Sequence, residues 1–426
     1  MTVIDSFEAL PLAAPLHLAL RERNYAVPSP IQARAIPALL EGRDLLGSAQ
    51  TGTGKTAAFA LPILHQIHSN PRRPKPGTVR ALILTPTREL AAQVAKSFET
   101  YGRHLKLSTA QVYGGVGQGP QVKALRRGVD VLVATPGRLL DLFEQGHIDF
   151  GAVEHFVLDE ADRMLDMGFI HDIRKVVAEL PRRRQSLFFS ATFSSEISRL
   201  AESILTEPVE VRIAPEAATA DRVDHRVCFL LHEHKFSLLN ALLANQRAAE
   251  GKHLTLVFSK TKHGADRLVR QLCKTGFRAE AIHGNKSQNA RERALESFRR
   301  GRSPILVATD VAARGIDVKD ITLVVNFDLP NEPESYVHRI GRTARAGAEG
   351  VALSFCSEND FPLLRDIERL LGAEIAPKAD HEFHHDGLAA RRSAKPSRKA
   401  KSQGSRGRPA RRDNPNSGGA GRSQRN

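Results

Sequence analysis

Twice along the 426 residues, short and almost wholly apolar runs alternate with amphipathic stretches of helical period, and no other feature constrains the fold as strongly. The first series, from about residue 20 to 212, carries DLLGS (44–48), RALILT (80–85), VDVLVAT (129–135), HFVLDE (155–160) and SLFFSAT (186–192). After a Pro/Ala/Glu-rich connector, EPVEVRIAPEAATADRV (207–223), the pattern restarts. LTLVFS (254–259), PILVATD (304–310), ITLVVNFD (321–328) and GVALSFC (350–356) form the second series. A strand that is apolar on both sides must be covered on both faces, as in a parallel sheet flanked by helices. The reading is two tandem α/β domains, 1–212 and 223–375, with a linker at 213–222 and a separate C-terminal segment, 376–426. No short-period repeat is visible.

The charge is unevenly placed. Of a net +15, residues 391–426 hold twelve Lys and Arg against one acid, Asp413, which leaves only +4 on the other 390 residues. That stretch has no aromatic or large aliphatic residue, so it cannot offset its ordering entropy by burial, and disorder is expected over 376–426. A flexible cationic arm fits a polyanion, of which nucleic acid is the usual one; a merely solubilising tail is the plainer alternative. Cys228, Cys273 and Cys356 are widely spaced in apolar segments and form neither a disulfide framework nor a zinc pattern, which favours a reducing compartment. The start, MTVIDSFEAL, lacks a basic-then-apolar signal, and no apolar run reaches membrane-spanning length. A cytoplasmic chain without membrane association is expected. His381, His384 and His385 cluster in HEFHH (381–385), yet no cysteine or second ligand group accompanies them, so a solvated linker is expected rather than a metal site.

Two motifs carry chemistry. Ala49, Gln50, Thr51, Gly52, Thr53, Gly54, Lys55 and Thr56 follow the first apolar run and open a helix, KTAAFALPILHQI, which is the pattern of a phosphate-binding loop. Gly52 and Gly54 let backbone N–H groups converge on a phosphate, and the helix N-terminus adds positive potential. Lys55 supplies a point charge for β- and γ-phosphates, and Thr56 a hydroxyl ligand for Mg²⁺. The second motif is VLDEADRML (157–165), with three acids just behind HFVL. A carboxylate at the C-terminal edge of a parallel strand in such a domain is where the metal-binding acid belongs. Asp159 is therefore assigned to Mg²⁺, through water, and Glu160 to the attacking water. An acidic helix start would also cluster carboxylates, but it would not require them behind a buried strand. GGVGQG (114–119) is glycine-rich without opening a nucleotide-binding unit, and Gly117 and Gly119 are read as turn residues.

With DEAD at 159–162, the chain resembles the DEAD-box RNA helicases, and the likeness runs from Phe7 to about residue 372 in family order. The resemblance implies two RecA-like parallel-sheet domains and an ATP- and Mg²⁺-dependent enzyme acting on RNA. NYAVPSPIQ (24–32) resembles the adenine-reading segment, in which Gln32 would bond the adenine edge, Tyr25 would stack on its face and Phe7 would support both. The family usually has Gly where Asn24 stands; both tolerate left-handed backbone. PTREL (86–90), Gly114-Gly115 and TPGR (135–138) resemble RNA-contacting motifs, which implies RNA contacts for Pro86, Thr87, Arg88, Thr135, Pro136, Gly137 and Arg138. SAT (190–192) resembles the element coupling nucleotide to RNA, through Ser190 and Thr192 with Asp162 and His338. LVFSKT (256–261) and QNAR, with Gln288 and Arg291, resemble the next RNA motifs. ATDVAARGIDV (308–318) would bring Thr309 and Arg314 near RNA and Asp317 to the ribose hydroxyls. HRIGRTARAG (338–347) would direct Arg342 and Arg345 at the γ-phosphate; Ala344 stands where Gly is common, which touches only local backbone geometry.

These residues divide the site between two domains. Hydrolysis would then need closure of the cleft, and RNA spanning both halves would favour that closed state. Arg88, Arg138 and the Pro and Gly of TPGR suit phosphates rather than base edges, so little sequence preference is expected. Closure around one strand would bend it and displace its partner, which gives local unwinding of short duplexes and remodelling of RNA or RNA–protein complexes. A DNA helicase and an ATP-switched RNA clamp or annealing chaperone are the rival readings. The short first domain, HRIGRTARAG and the basic C-terminus resemble bacterial RhlE-type members most. Ribosome precursors, messenger decay substrates and cold-stabilised structures all stay open as the RNA, and the core is expected to be monomeric.

Overall fold

The apolar runs become strands, and helices close over both of their faces. The structure, a computed structural model, describes residues 4–48, 53–213, 223–248, 253–310, 318, 320–343 and 350–392. The first domain contains β1 (Leu45–Ser48), β2 (Val79–Leu84), β3 (Thr109–Val112), β4 (Val129–Ala134), β5 (His155–Leu158), β6 (Gln185–Ser190) and β7 (Val209–Arg212). They lie in the order β3-β4-β2-β5-β6-β1-β7. The second contains β8 (Val223–Phe229), β9 (Leu254–Phe258), β10 (Ala279–Ile282), β11 (Ile305–Ala308), β12 (Ile321–Asn326) and β13 (Gly350–Cys356), in the order β10-β11-β9-β12-β13-β8. Every pairing between these strands is parallel.

Among the described residues the helices of the first domain are α1 (Ala14–Glu22), α2 (Pro30–Leu40), α3 (Lys55–Ser69), α4 (Arg88–Tyr101), α5 (Gly119–Leu125), α6 (Pro136–Glu144), α7 (Ala161–Asp166), α8 (Ile170–Glu179) and α9 (Ser195–Ile204). Those of the second are α10 (Lys235–Ala248), α11 (Lys262–Lys274), α12 (Gln288–Arg299), α13 (Pro333–Ile340), α14 (Phe361–Leu371) and α15 (Asp386–Arg392). The two-residue strand period splits each sheet's side chains between two cores. Ala81, Ile83, Val131 and Val157 face the helices α2, α3 and α4. Their neighbours Leu82, Leu84, Leu132 and Phe156 face α6, α8 and α9. The second sheet divides likewise, with Leu256 and Leu306 on one face and Val257 and Val307 on the other. No helix of the described residues is long and apolar enough to cross a membrane.

The apolar-run reading misses β3, β7, β8 and β10, and these are the two edge strands of each sheet. An edge strand keeps one flank toward solvent, so its sequence alternates instead of running apolar. In β7, VEVR, only Val211 is buried. This strand lies in the stretch read as connector and pairs with β1, Leu45 against Val209. Nearly all of the linker at 213–222 lies outside the described residues.

The boundary at 376 is corrected. Residues 376–392 fold onto the second domain, where Val227 bridges Pro377 and donates its N–H to the Ala376 carbonyl at 3.0 Å. Leu388 of α15 is buried in the domain core. Arg392, counted above with the basic tail, pairs with Glu368, donates to the Ile375 carbonyl at 2.8 Å and lies over the Phe229 ring. HEFHH is likewise no solvated linker: Phe383 packs on His234 with ring centroids 5.5 Å apart, and His385 donates its N–H to the Phe229 carbonyl at 3.0 Å. Among the described residues no group of three His, Cys, Asp or Glu is disposed to hold a metal. Ending the chain at Ile375 should therefore destabilise the second domain by about 3 kcal/mol, chiefly from Leu388 burial and the Arg392 contacts. Ending it at Arg392 should leave the unfolding midpoint unchanged, and denaturant titration of the two truncations distinguishes them.

Candidate active site and interdomain cleft

In a parallel sheet all strands end on one rim, and that rim collects the motifs. Loop 49–54 follows β1, PTREL follows β2, Gly114-Gly115 follows β3, TPGR follows β4, the acids follow β5 and SAT follows β6. Asp159 continues the sheet by donating its N–H to the Leu84 carbonyl at 3.0 Å, which fixes the carboxyl at the rim.

Of the phosphate loop, Ala49, Gln50, Thr51 and Gly52 lie outside the described residues. Gly54 caps α3 at φ 93°, a conformation that favours glycine, and a Cβ there would lie 2.4 Å from Gln32 Nε2. Gln32 is held against the loop: its Oε1 accepts from the Ser29 N–H at 2.8 Å and its Nε2 donates to the Gly54 carbonyl at 3.0 Å. Ser29 Oγ donates to the Thr53 carbonyl at 2.7 Å. Asn24 takes the left-handed backbone, φ 57°, and Tyr25 is exposed with its ring stacked 6.4 Å from that of buried Phe7.

Lys55 Nζ stands 3.8 Å from Asp159 Oδ1, and both side chains are buried. That oxygen has no hydrogen-bond partner among the described residues. Burial raises the Asp159 carboxyl to about 6, with Lys55 pulling it down and Glu160 pushing it further up. A buried carboxylate oxygen without a donor, beside Lys55 at the start of α3, where Thr56 is the next residue, fits a divalent cation. The residues present thus suit Mg²⁺.

Glu160 sits in left-handed backbone, φ 60°, an uncommon choice for a non-glycine residue and one that marks local strain. Its Oε2 accepts from Arg163 Nη1 at 2.6 Å in a buried ion pair. Asp162 turns away from both. Its Oδ2 accepts from the N–H groups of Ala191 and Thr192, each at 3.0 Å, and from Thr192 Oγ1 at 3.3 Å. Ser190 Oγ donates to the Thr192 carbonyl at 2.7 Å. The three acids therefore have three different environments.

The second domain closes this site. His338, Arg339 and Arg342 line one narrow crevice together with Arg163 of the first domain. Burial lowers His338 to about 4, helped by the cations Arg163 and Arg342 and opposed by Asp162 and Glu160, so its imidazole is neutral near pH 7. Arg342 is buried, and its Nε donates to the His338 carbonyl at 3.2 Å. Arg339, not singled out by sequence, anchors the segment through a two-pronged pair with Asp310, at 2.6 and 2.7 Å. Arg314, Asp317 and Arg345 lie outside the described residues.

On the β3-β4-β2 side the motif residues are only partly offered to a groove. Pro86, Thr87, Thr135 and Pro136 are buried, and Thr87 caps α4 by accepting from the Leu90 N–H at 3.3 Å. Gly137 is exposed, and Arg138 Nη1 donates to the Val116 carbonyl at 3.3 Å. Thr309 is half-buried and donates its N–H to the Ile282 carbonyl at 3.3 Å. At Gly115, φ 74°, a Cβ would lie 2.1 Å from Arg88 Nη1, so this glycine makes room for a guanidinium. Gln288 and Arg291 are both buried and engaged by protein partners. Arg291 Nη2 lies 2.8 Å from Glu89 Oε2 across the two domains, and Gln288 Nε2 donates to Glu292 Oε1 at 3.0 Å. Glu89 has no well-aligned hydrogen bond among the described residues, so its buried charge depends on that ion pair. Sequence reasoning missed Glu89, Arg163 and Arg339, because nothing local says which charge each one meets: Arg291 lies in the other domain, Asp310 on a different strand end, and Glu160 one helical turn away.

Comparison with known proteins agrees with this geometry. The DEAD/DEAH box helicase family matches residues 29–200, and the helicase conserved C-terminal domain matches 234–347. The chain is 44% identical over 354 residues to DEAD-box ATP-dependent RNA helicase 30 of Arabidopsis thaliana, covering 83% of this chain and 59% of that protein. It is 43% identical to the DEAD-box ATP-dependent RNA helicase CshA of Streptococcus pneumoniae, covering 85% of this chain and 68% of CshA. It spans about half the length of some plant relatives, 46% for DEAD-box ATP-dependent RNA helicase 40 of Oryza sativa and 56% for DEAD-box ATP-dependent RNA helicase 46 of Arabidopsis thaliana. S. cerevisiae Dbp5, solved bound to RNA and ADP BeF3, superposes with a TM-score of 0.77 at 32% identity, covering 88% of this chain and 95% of that one. On motif order, site geometry and these matches, the chain belongs to the DEAD-box helicase family.

Proposed function

We propose that this chain is an RNA-dependent ATPase that locally unwinds short RNA duplexes and remodels RNA or RNA–protein complexes, hydrolysing ATP in the cleft between its domains. One observation carries the reading: His338 and Arg342 of the second domain meet Glu160, Asp162 and Arg163 of the first, so the hydrolytic site is complete only when the domains close. Lys55 and the start of α3 hold the phosphates, and Gln32 with Tyr25 the base. Thr56 and Asp159 would hold Mg²⁺, which neutralises charge developing on the transferring phosphate oxygens. Glu160, released from Arg163, orients water and takes its proton. Arg342 adds positive charge where the transferring group is most negative, and Arg345 has the same assigned role. Asp162 carries nucleotide state to SAT through its bonds to Ala191 and Thr192.

Single-stranded RNA should raise ATP turnover about tenfold or more, in the range of ordinary allosteric coupling, whereas DNA of the same sequence should not. Equal stimulation by DNA would remove the RNA assignment, and strand displacement over multiple turnovers separates unwinding from clamping. Within the family we assign the chain to the RhlE-type bacterial group, on HRIGRTARAG and the basic residues of 391–426. Rescue of cells lacking an RhlE-type helicase, but not of cells lacking CshA, tests that. Three free cysteines, two of them buried, support a reducing, cytoplasmic setting. The RNA would be a ribosome precursor, a decay substrate or a cold-stabilised structure, met by a monomeric core.

A further inference from the structure

Helix α11 packs into the second core through Ala265, Leu268 and Leu272 and leaves its other face to solvent. On that face His263, Arg267, Arg270 and Lys274 are exposed, at spacings of four, three and four residues. That spacing sets them in one row, roughly 16 Å long at the helical rise per residue. Among the described residues no ion pair or hydrogen bond engages any of their side chains. Beside the row lies an open groove of about 680 Å³, to which Lys286 contributes from the loop after β10. Asp266 is the one acid among the lining residues, and it is already matched, 3.1 Å from His283 Nε2 and 2.9 Å from Lys286 Nζ. The stripe's positive charge is therefore uncompensated.

Its position gives the charge a use. The first domain's RNA-type motifs follow β2, β3 and β4, at one side of that sheet. The Glu89–Arg291 pair joins this side to α12, beside β10 and β11 in the second domain. Helix α11 connects β9 to β10 and begins at Thr261 on the same rim as Thr309 and Asp310. The row thus starts with His263 near the cleft mouth, and its cations, Arg267, Arg270 and Lys274, run outward from there. From this juxtaposition we infer that the outer face of α11, with Lys286, is a second RNA-phosphate track, which grips the strand or duplex extending beyond the cleft. The inference rests on the RNA reading above and adds where the flanking nucleic acid lies. Unpaired guanidinium and ammonium groups in a row favour a regular polyanion over an acidic protein, whose carboxylates would have to match their spacing.

The test compares the full chain with Arg267→Ala/Arg270→Ala/Lys274→Ala in fluorescence anisotropy, with a non-hydrolysable ATP analogue. One probe is a strand short enough to fill only the cleft, and the other is a duplex with a single-stranded extension. The variant should bind the extended probe roughly tenfold more weakly at low salt, with its log–log salt slope reduced by about 2, the value for three lost single-strand contacts. Short-strand affinity, ATP-analogue affinity and thermal midpoint should be unchanged, and Arg267→Lys/Arg270→Lys should restore extended-probe binding. Equal weakening on both probes, or no weakening on the extended one, overturns the track; the latter leaves the stripe to an acidic protein. Failure of the wild-type chain to bind either probe would instead remove the RNA reading itself.

Discussion

Glu160→Gln should lower the RNA-stimulated kcat on the order of a thousandfold, the range for loss of a general base, while ATP and RNA affinities stay within a few-fold. The amide keeps the side chain's shape, and its oxygen can still accept from Arg163 Nη1, so the local structure has little reason to rearrange. What disappears is the basic lone pair and the negative charge that polarise the water. Lys55 and Asp159, the residues proposed for the phosphates and the metal, are untouched by the change. The outcome is read from steady-state ATPase alongside equilibrium binding of an ATP analogue and RNA, with a thermal midpoint to confirm folding. Normal turnover in this variant would defeat the mechanism at its centre. Reduced binding of both ligands would mean that the acid acts structurally, through Arg163.

Reversing the charge in Glu89→Arg should lower RNA-stimulated ATP turnover by about a hundredfold, and the double change Glu89→Arg/Arg291→Glu should recover most of it. Both partners are buried across the domain boundary at 2.8 Å, and breaking such a pair costs about 3–5 kcal/mol because the remaining charge is stranded. That cost falls only on the closed arrangement, since in the open one both groups reach water. Nucleotide binding by the first domain should therefore be spared. A double-mutant cycle on kcat/KM is the measurement, and simply additive losses would show that the pair does not act as a unit.

The interior of both sheets was legible because a doubly covered strand has to be apolar along its whole length. RALILT and VDVLVAT could be little else. The edges were not, since β3, β7, β8 and β10 mix inward and outward residues over only four to seven positions. The C-terminal boundary failed for a related reason: one leucine, Leu388, and one arginine, Arg392, hold α15 against the domain within an otherwise polar stretch. At the site, the phosphate loop and the acids behind HFVL declared themselves because strand, turn and helix follow one another in sequence. Arg163 beside Glu160 and Asp310 beneath Arg339 did not. A countercharge is chosen by three-dimensional proximity, and nothing in a lone arginine says which carboxylate it neutralises.

Gln32 joins two jobs usually treated separately. Its side chain is tied at one end to Ser29 and at the other to the Gly54 carbonyl, at the hinge between phosphate loop and helix. With Ser29 also bonded to Thr53, the segment proposed to read the base is tied to Thr53 and Gly54, so the two would act as one lever. A nucleotide with the wrong base would then do more than bind weakly. It would leave the lever unset and the lysine beyond Gly54 out of register with the phosphates, so discrimination among nucleotides would fall on catalytic rate as much as on occupancy.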